Sequence, residues 1–411
     1  ARSVGYAVVK KPEGYTTAKV DQIIQEYEKK SANEQQSTAK QYPNIITVVN
    51  ETFADIKVLG DFKTNEDYMP YFHSLKKNCV TGYTYASIVG GQTANTEFEL
   101  LTGNTLGFLS AGTTAFQLYI HGQMPSLVSN LKAEGYSGNK AMHPFNPYNY
   151  NRPAVYKDFG FTDFIDKFDF PKNVKRVREY ISDEANVDRI ISEYEKNRKK
   201  TDQPFYMYNM TIQNHSPYDK DAANFKQPIK IESSKYDAEA NRYLNLIKYS
   251  DDSLKQLTSY FEKCKEPTII LFLGDHQPRL TDEFMNKITN GQYQTWSSEQ
   301  MMKRYQVPFV IWANYDIKEQ HIEKTSMNYI QSILTKTAGV KMTGYQRFLN
   351  EVRKEVPTIT SQGYWGKNGK FYQINDKGSP YYGIIQKYRM IQYNMMFDKK
   401  NRRDSFFEVS K

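Results

Sequence analysis

The sequence predicts an α/β fold, a mainly parallel central sheet flanked by helices, with a small α+β subdomain at the C-terminal end. Three observations carry this. Four short runs, "NIITVVN" (44–50), "FYMYNMTI" (205–212), "TIILFLG" (268–274) and "VPFVIWA" (307–313), are apolar at most positions and rich in β-branched and aromatic residues, as strands covered on both faces are. Segments with helical spacing separate them, and that alternation belongs to a parallel sheet. Beyond about Lys341 the texture changes, and "YWGKNGKFYQIND" sets Asn368-Gly369 between two aromatic stretches, the signal of a two-residue hairpin.

Residues 1–42 read as a helical arm and linker. Val20, Ile23, Ile24 and Tyr27 recur at helical spacing behind a Thr-rich start, and a polar stretch follows up to Tyr42. Residues 43–340 hold the four strands, with helices expected over 124–135, 186–200, 238–264 and 328–339. The Lys-rich end of the second of these complements a helix dipole. Within "IVGGQTANTEFELLTG" (88–103), Gly90-Gly91 permit a tight turn and a helix opens at Thr93 and stops near Gly103. Residues 341–411 make up the small subdomain.

Composition narrows the possibilities. At 411 residues and 39% hydrophobic, the chain buries a substantial core. Fifty-five Lys and Arg against 46 Asp and Glu give a net charge of +9, which favours an anionic partner or surface. The two cysteines, Cys79 and Cys264, are too far apart for a zinc motif or a disulfide framework. No run approaches the roughly 18 apolar residues of a membrane span, and the start of the chain lacks the apolar stretch of a signal peptide. The expectation is a soluble part of something longer.

In an open α/β sheet, ligands gather beyond the carboxyl ends of the strands. Glu51 follows the first run, His215 lies within a few residues of the second, and Asp275-His276 follow the third. Carboxylates with one imidazole suit a divalent ion such as Mn²⁺, Mg²⁺ or Zn²⁺. Thr93 as a plain helix cap accounts for its hydroxyl but not for the two glycines before it. A hydroxyl at a helix start, beside backbone N–H groups and the positive dipole end, suits a nucleophile attacking an anionic phosphate, and a metal ion would lower its pKa further.

Five segments in one order, "NETFADIKVLGDF", "YTYASIVGGQTANTEFELLTG", "YNYNRPAVYKDFGFTDF", "NMTIQNHSPY" and "LGDHQPRL", resemble the extracellular catalytic domain of lipoteichoic acid synthases and related glycerol-phosphate transferases of Gram-positive bacteria. That family lies in the sulfatase-like branch of the alkaline phosphatase superfamily, and the resemblance runs from about Tyr42 to Val340. It implies that Glu51, Thr93, Asp275 and His276 ligate one divalent ion, Mn²⁺ foremost, with Thr93 as the nucleophile. It places a phosphate-contacting His at His215, as ligand or as general acid and base, and a phosphate-binding Arg at Arg152. Tyr148 and Tyr150, beside that Arg, are the substrate-facing aromatics. Where lipoteichoic acid synthases carry Trp two residues before the Arg, this chain has Tyr150, which leaves room for a sister enzyme that decorates a wall polysaccharide.

The activity implied is transfer of glycerol phosphate from phosphatidylglycerol, through a phospho-threonine intermediate, to lipoteichoic acid or a wall polysaccharide. The setting implied is the outer face of the cell membrane, as an ectodomain excised from or shed by a multi-span protein, with an anionic lipid surface as partner and no nucleic acid. Sulfate-ester hydrolysis by conversion to formylglycine calls for a Cys or Ser in a Pro- and Arg-containing motif, and Thr93 sits in none. Phosphoethanolamine transfer, simple phosphodiester hydrolysis and a non-catalytic polymer- or lipid-binding sensor of the same fold are the competing readings.

Overall fold

The computed structural model describes residues 9–34, 38–232 and 237–409. Its centre is an eight-stranded sheet of β1 (Asn44–Asn50), β2 (Cys79–Tyr85), β3 (Ser137–Met142), β4 (Asp163–Ile165), β7 (Phe205–Met210), β8 (Thr268–Gly274), β9 (Gln306–Ala313) and β10 (Gln320–Ser326). Outside it, β5 (Arg176–Val177) and β6 (Tyr180–Ile181) form a two-stranded piece, and β11 (Thr358–Thr360), β12 (Gly363–Trp365) and β13 (Phe371–Tyr372) a small antiparallel sheet in the C-terminal part. The large sheet runs β10-β2-β9-β8-β1-β7-β3-β4. Only β9 is reversed, pairing antiparallel with β2 and β8. The carboxyl ends of β1, β3, β7 and β8 therefore share one edge.

The long apolar runs became central strands because both faces of the sheet are covered. Along β1, Ile45 and Val49 enter one core while Ile46 and Val48 enter the other. The strands that the sequence did not reveal lack that signature. β10, "QHIEKTS", sits at an edge and leaves four of its seven residues exposed, and β3, "SGNKAM", is polar in its first half. The run 205–212 ends as a strand at Met210, since the backbone beyond Thr211 turns away toward His215.

The expected helices are present with shifted ends. Helix 124–135 is only Leu127–Ala133, because Pro125 disfavours a helical Met124 and Ser126 caps the start through a capping box with Ser129. The others are Asp183–Lys200, Ala238–Glu262 and Met327–Ala338. The arm helix, Thr17–Lys30, buries Val20, Ile23 and Tyr27 and packs on the C-terminal helices Gly344–Glu355 and Tyr382–Met396. Tyr27 and Phe348 meet edge to face at 4.5 Å.

The Asn368-Gly369 turn differs from the expected two-residue hairpin. Gly366 donates to Lys370 and Gly369 donates to Gly366, which leaves a three-residue loop with Gly369 at φ +79°. A two-residue type I′ turn needs positive φ at both central residues, and Asn368 does not adopt it.

Candidate active site

The parallel register fixes which residues can meet. Asn50 pairs with Gly274 and Val49 with Met210, so the first residues beyond β1, β8 and β7 lie side by side. Gly274 makes the approach possible: a Cβ there would stand 1.8 Å from the carbonyl oxygen of Phe53. With the backbones that close, Thr52 and His276 both donate their amides to Asp275 Oδ1, at 2.7 and 2.8 Å. Thr52 holds φ 56° to do so, a conformation costing a β-branched residue roughly 1–3 kcal/mol.

These contacts leave three ligand atoms facing one another. One atom each from Glu51, Asp275 and His276 lies within 4.8 Å of the others, and all three residues are buried. Asp275 Oδ2 and His276 Nε2 are buried with no hydrogen-bond partner outside the cluster; they lie 3.2 Å from each other, and Nε2 lies 3.5 Å from Glu51 Oε1. His276 Nδ1 is 2.8 Å from the Gln277 carbonyl, an acceptor only, so Nδ1 carries the proton and the neutral ring turns its Nε2 lone pair inward. Burial and then the charge of Glu51 push the Asp275 carboxyl up; burial opposes charge on His276, but Asp275 and Glu51 together push its pKa up. Without a cation, an extra proton on the imidazole balances two buried carboxylates. A divalent ion fits here on the chemistry of the donors and on two inward-facing atoms that are bonded to nothing outside the cluster.

Thr93 completes the cluster. It is the first residue of the buried helix Thr93–Thr102, and its Oγ1 donates to Glu51 Oε2 at 3.4 Å. The cap position is held by Gln92, in a left-handed conformation with no capping side chain, so the Thr93 hydroxyl is not spent on capping. The glycines supply the turn into this helix. Gly90 has φ +73° and donates to Gln277 O, and a Cβ on it would press within 3.0 Å of Arg279 Cβ. A Cβ on Gly91 would meet nothing within 4 Å, so that side stays open.

A cavity of about 250 Å³ lies over the cluster, lined in part by Glu51, Thr93, Tyr150, Arg152, His215 and His276. His215 Nδ1 is 2.6 Å from the Ser216 carbonyl, which leaves Nε2 to give or take a proton, and the ring lies against Phe145 and Tyr180. Arg152 is buried rather than on the surface. Its Nε and Nη2 donate to Glu97 Oε2 at 3.2 and 2.9 Å, and Tyr150 lies under the guanidinium at 5.2 Å. Tyr150 and Asn151 both take positive φ to turn the chain into the helix that Arg152 begins. Tyr148 is 76% exposed and does not line the cavity.

Sequence reasoning missed His143 and Glu97. His143 follows β3 at the same sheet edge, lines the cavity and has Nδ1 2.8 Å from Met210 O; burial, then Arg152, hold its pKa down at about 3. The strand-end rule would have found it had "SGNKAM" been legible as a strand. Glu97 lies one helical turn after Thr93, and its Oε1 accepts from Tyr156 and, at 2.7 Å, from Tyr208.

A helix-opening hydroxyl set against a carboxylate–imidazole cluster, at the carboxyl edge of a mostly parallel sheet, is an arrangement suited to attack on an oxyanion ester. Residues 43–340 match the Sulfatase family model, and the chain belongs to that family. It is 31% identical over 380 residues to a protein of Rhizobium meliloti (strain 1021) named for cyclic beta-1,2-glucan modification, covering 90% of this chain and 57% of that protein. It is 27% identical over 237 residues to the lipoteichoic acid synthase-like YvgJ of Bacillus subtilis (strain 168), covering 57% of this chain and 36% of YvgJ. The chain thus spans little more than half of the first relative and about a third of the second. In fold it is similar to the Streptococcus pyogenes phosphoglycerol transferase GacH in complex with sn-glycerol-1-phosphate, with TM-score 0.78, 20% identity, and 98% and 100% of the two chains covered. It is also similar to the lipoteichoic acid synthase LtaP of Listeria monocytogenes, with TM-score 0.64, 19% identity, and 91% and 98% covered. Among the described residues no helix is long and apolar enough to cross a membrane.

Proposed function

We propose that the chain is a metal-dependent phosphoglycerol transferase. It takes glycerol phosphate from phosphatidylglycerol and passes it, through a phospho-threonine intermediate, to a cell-envelope polymer at the outer face of a membrane. The observation that carries this is the Thr93 hydroxyl, at a helix N-terminus and within reach of Glu51, in a buried cluster whose three ligand atoms face one another. GacH and LtaP, whose names specify glycerol-phosphate and lipoteichoic acid chemistry, support the donor class. The glucan-modification name of the Rhizobium relative supports a glycan among the acceptors.

Glu51, Asp275, His276 and Thr93 would hold one divalent ion, with Mn²⁺ the first choice, and the ion would supply Lewis acidity at the hydroxyl and at the phosphoryl oxygens. Thr93, as the alkoxide, attacks phosphorus in line, and the bond to diacylglycerol breaks as His215 Nε2 gives its proton to the leaving oxygen. Arg152, steadied by Glu97 and Tyr150, offsets charge on the equatorial oxygens. The acceptor hydroxyl then returns a proton to His215 and displaces Thr93. Phosphorus ends on the acceptor and the alkoxide is regenerated.

The test is diacylglycerol release from labelled phosphatidylglycerol, with Mn²⁺ or with chelator. Release should require the metal and fall at least about 10³-fold in Thr93→Ala with the fold unchanged by circular dichroism. No metal-dependent release from the intact chain would overturn the phosphatidylglycerol reading and point to a different headgroup or to binding alone.

A further inference from the structure

The catalytic cavity does not end at Thr93. It shares Gly90, Gly91, Gln92, Ser216 and Arg279 with a second cleft of about 540 Å³ that runs over the Ser87–Val89 and Ser110–Thr113 loops. That cleft in turn shares Leu109 and Ser110 with a third, about 590 Å³, between the start of the described chain at Lys10–Glu13 and the helix Tyr382–Met396. Charge along the path is mostly of one sign. Among the described residues Arg279 is the only charged residue lining the second cleft, and Lys10, Lys11 and Arg389 face the third, with Glu13 the one acid.

Arg279 stands where the catalytic cavity, the second cleft and a further opening meet. It is exposed and has no hydrogen bond or ion pair among the described residues. This contrasts with Arg152, whose Nε and Nη2 donate to Glu97. The room for the Arg279 side chain is made by Gly90, so the turn that sets Thr93 at its helix start also seats an uncommitted guanidinium beside it. Between the two cationic stations the second cleft offers the exposed hydrogen-bonding side chains of Gln92, Ser110 and Gln362. Guanidinium groups at the ends and neutral hydrogen-bonding groups between suit a hydroxyl-rich chain with phosphates at intervals.

We propose that these cavities form one track for the acceptor, a chain bearing glycerol phosphate groups, with Arg279 contacting a phosphate near the reacting end and Arg389 with Lys10 and Lys11 holding a segment already modified. The proposal rests on the glycerol-phosphate reading of the active site and adds where the acceptor lies and what charge it carries. The same phosphate chemistry occurs in a polymer of glycerol phosphate and in a glycan decorated with it.

The experiment is direct titration of the full chain, without donor lipid, by glycerol-phosphate oligomers of increasing length, by a glycerol-phosphate-decorated oligosaccharide and by the neutral oligosaccharide. Affinity should rise with length and fall with salt. Arg279→Ala should weaken every phosphate-bearing probe roughly tenfold, the scale of one charge-assisted contact. Lys10→Glu with Lys11→Glu, on exposed positions that place no demand on folding, should weaken long probes and leave single glycerol phosphate unchanged; Arg389→Lys should keep most of the long-probe affinity. The tighter of the two phosphate-bearing probes identifies the source of the chain. Equal affinity for the neutral oligosaccharide, or indifference of long probes to both the Arg279 and the Lys10 and Lys11 changes, would overturn the track. Because no turnover is read, absence of diacylglycerol release would count against the donor assignment and not against this one.

Discussion

Thr93 and Glu97 stand one turn apart on the same buried helix, and their surroundings are opposites. Around Thr93, the Asp275 and His276 atoms that face inward meet only members of their own cluster and make no hydrogen bond outside it. Around Glu97, both carboxylate oxygens are engaged, by Arg152 on one and by Tyr156 and Tyr208 on the other. A buried polar group with no partner costs stability and is kept where something else is to bind it. A saturated one holds its neighbours in place. The comparison assigns the first cluster to ligand binding and the second to setting Arg152, and it can be broken by experiment at either end.

The largest expected effect is at the saturated end. Glu97→Ala would leave the Arg152 guanidinium buried without its counter-charge and should destabilise the chain by about 3–5 kcal/mol in denaturant unfolding. The double variant Glu97→Gln with Arg152→Met removes both charges and should regain most of that loss while turnover stays low. Failure of the double variant to regain stability would mean that the pair does more than balance charge.

At the unsaturated end the effects should be smaller and should depend on metal. Mn²⁺ at 100 times its dissociation constant should stabilise the chain by about 2.7 kcal/mol, read as a rise in Tm. Asp275→Asn keeps the Oδ1 acceptor for the Thr52 and His276 amides but removes a charge beside Glu51. It should abolish the Mn²⁺ response and yet raise the Tm of the chelated chain. A lower Tm in chelator would show that the carboxylate is structural, as Glu97 is.

The two clusters were not equally legible in the sequence. Glu51, His215 and Asp275-His276 follow strands whose apolar runs announce themselves, so the strand-end rule placed them together before any geometry was known. The short edge strand β4 and polar β10 left no such mark, and neither did β3, whose polar first half hid His143. Glu97 was hidden for another reason. A charged residue in a helix reads as a solvated one, and only the packing of Tyr156 and Tyr208 against it shows that it faces inward. The third residue of the hairpin loop was likewise invisible, since Asn-Gly serves both two-residue and three-residue turns.

Glu99, two residues beyond Glu97, supplies the finest test because it is equally buried and, among the described residues, has no ion pair with a cation. Its Oε2 accepts from Ser87 Oγ at 3.0 Å and from the Leu106 amide at 2.9 Å, yet burial pushes its pKa up to about 8. The acid binds its proton more tightly folded than unfolded, where a Glu titrates near 4.5. The folded chain therefore holds the extra proton between those values, and the stability this contributes is fully present below about 4.5 and is lost as pH rises toward 8. Glu99→Gln keeps an acceptor for Ser87 and Leu106 and has no charge to bury. It should leave stability at pH 4 nearly unchanged and raise it at pH 8 by on the order of 1–3 kcal/mol, flattening the alkaline side of the Tm profile. If instead Glu99→Gln destabilises the chain at pH 8, then Glu99 is ionised in the fold and has a counter-charge, as Glu97 does. The helix would then carry two saturated carboxylates behind one reactive hydroxyl.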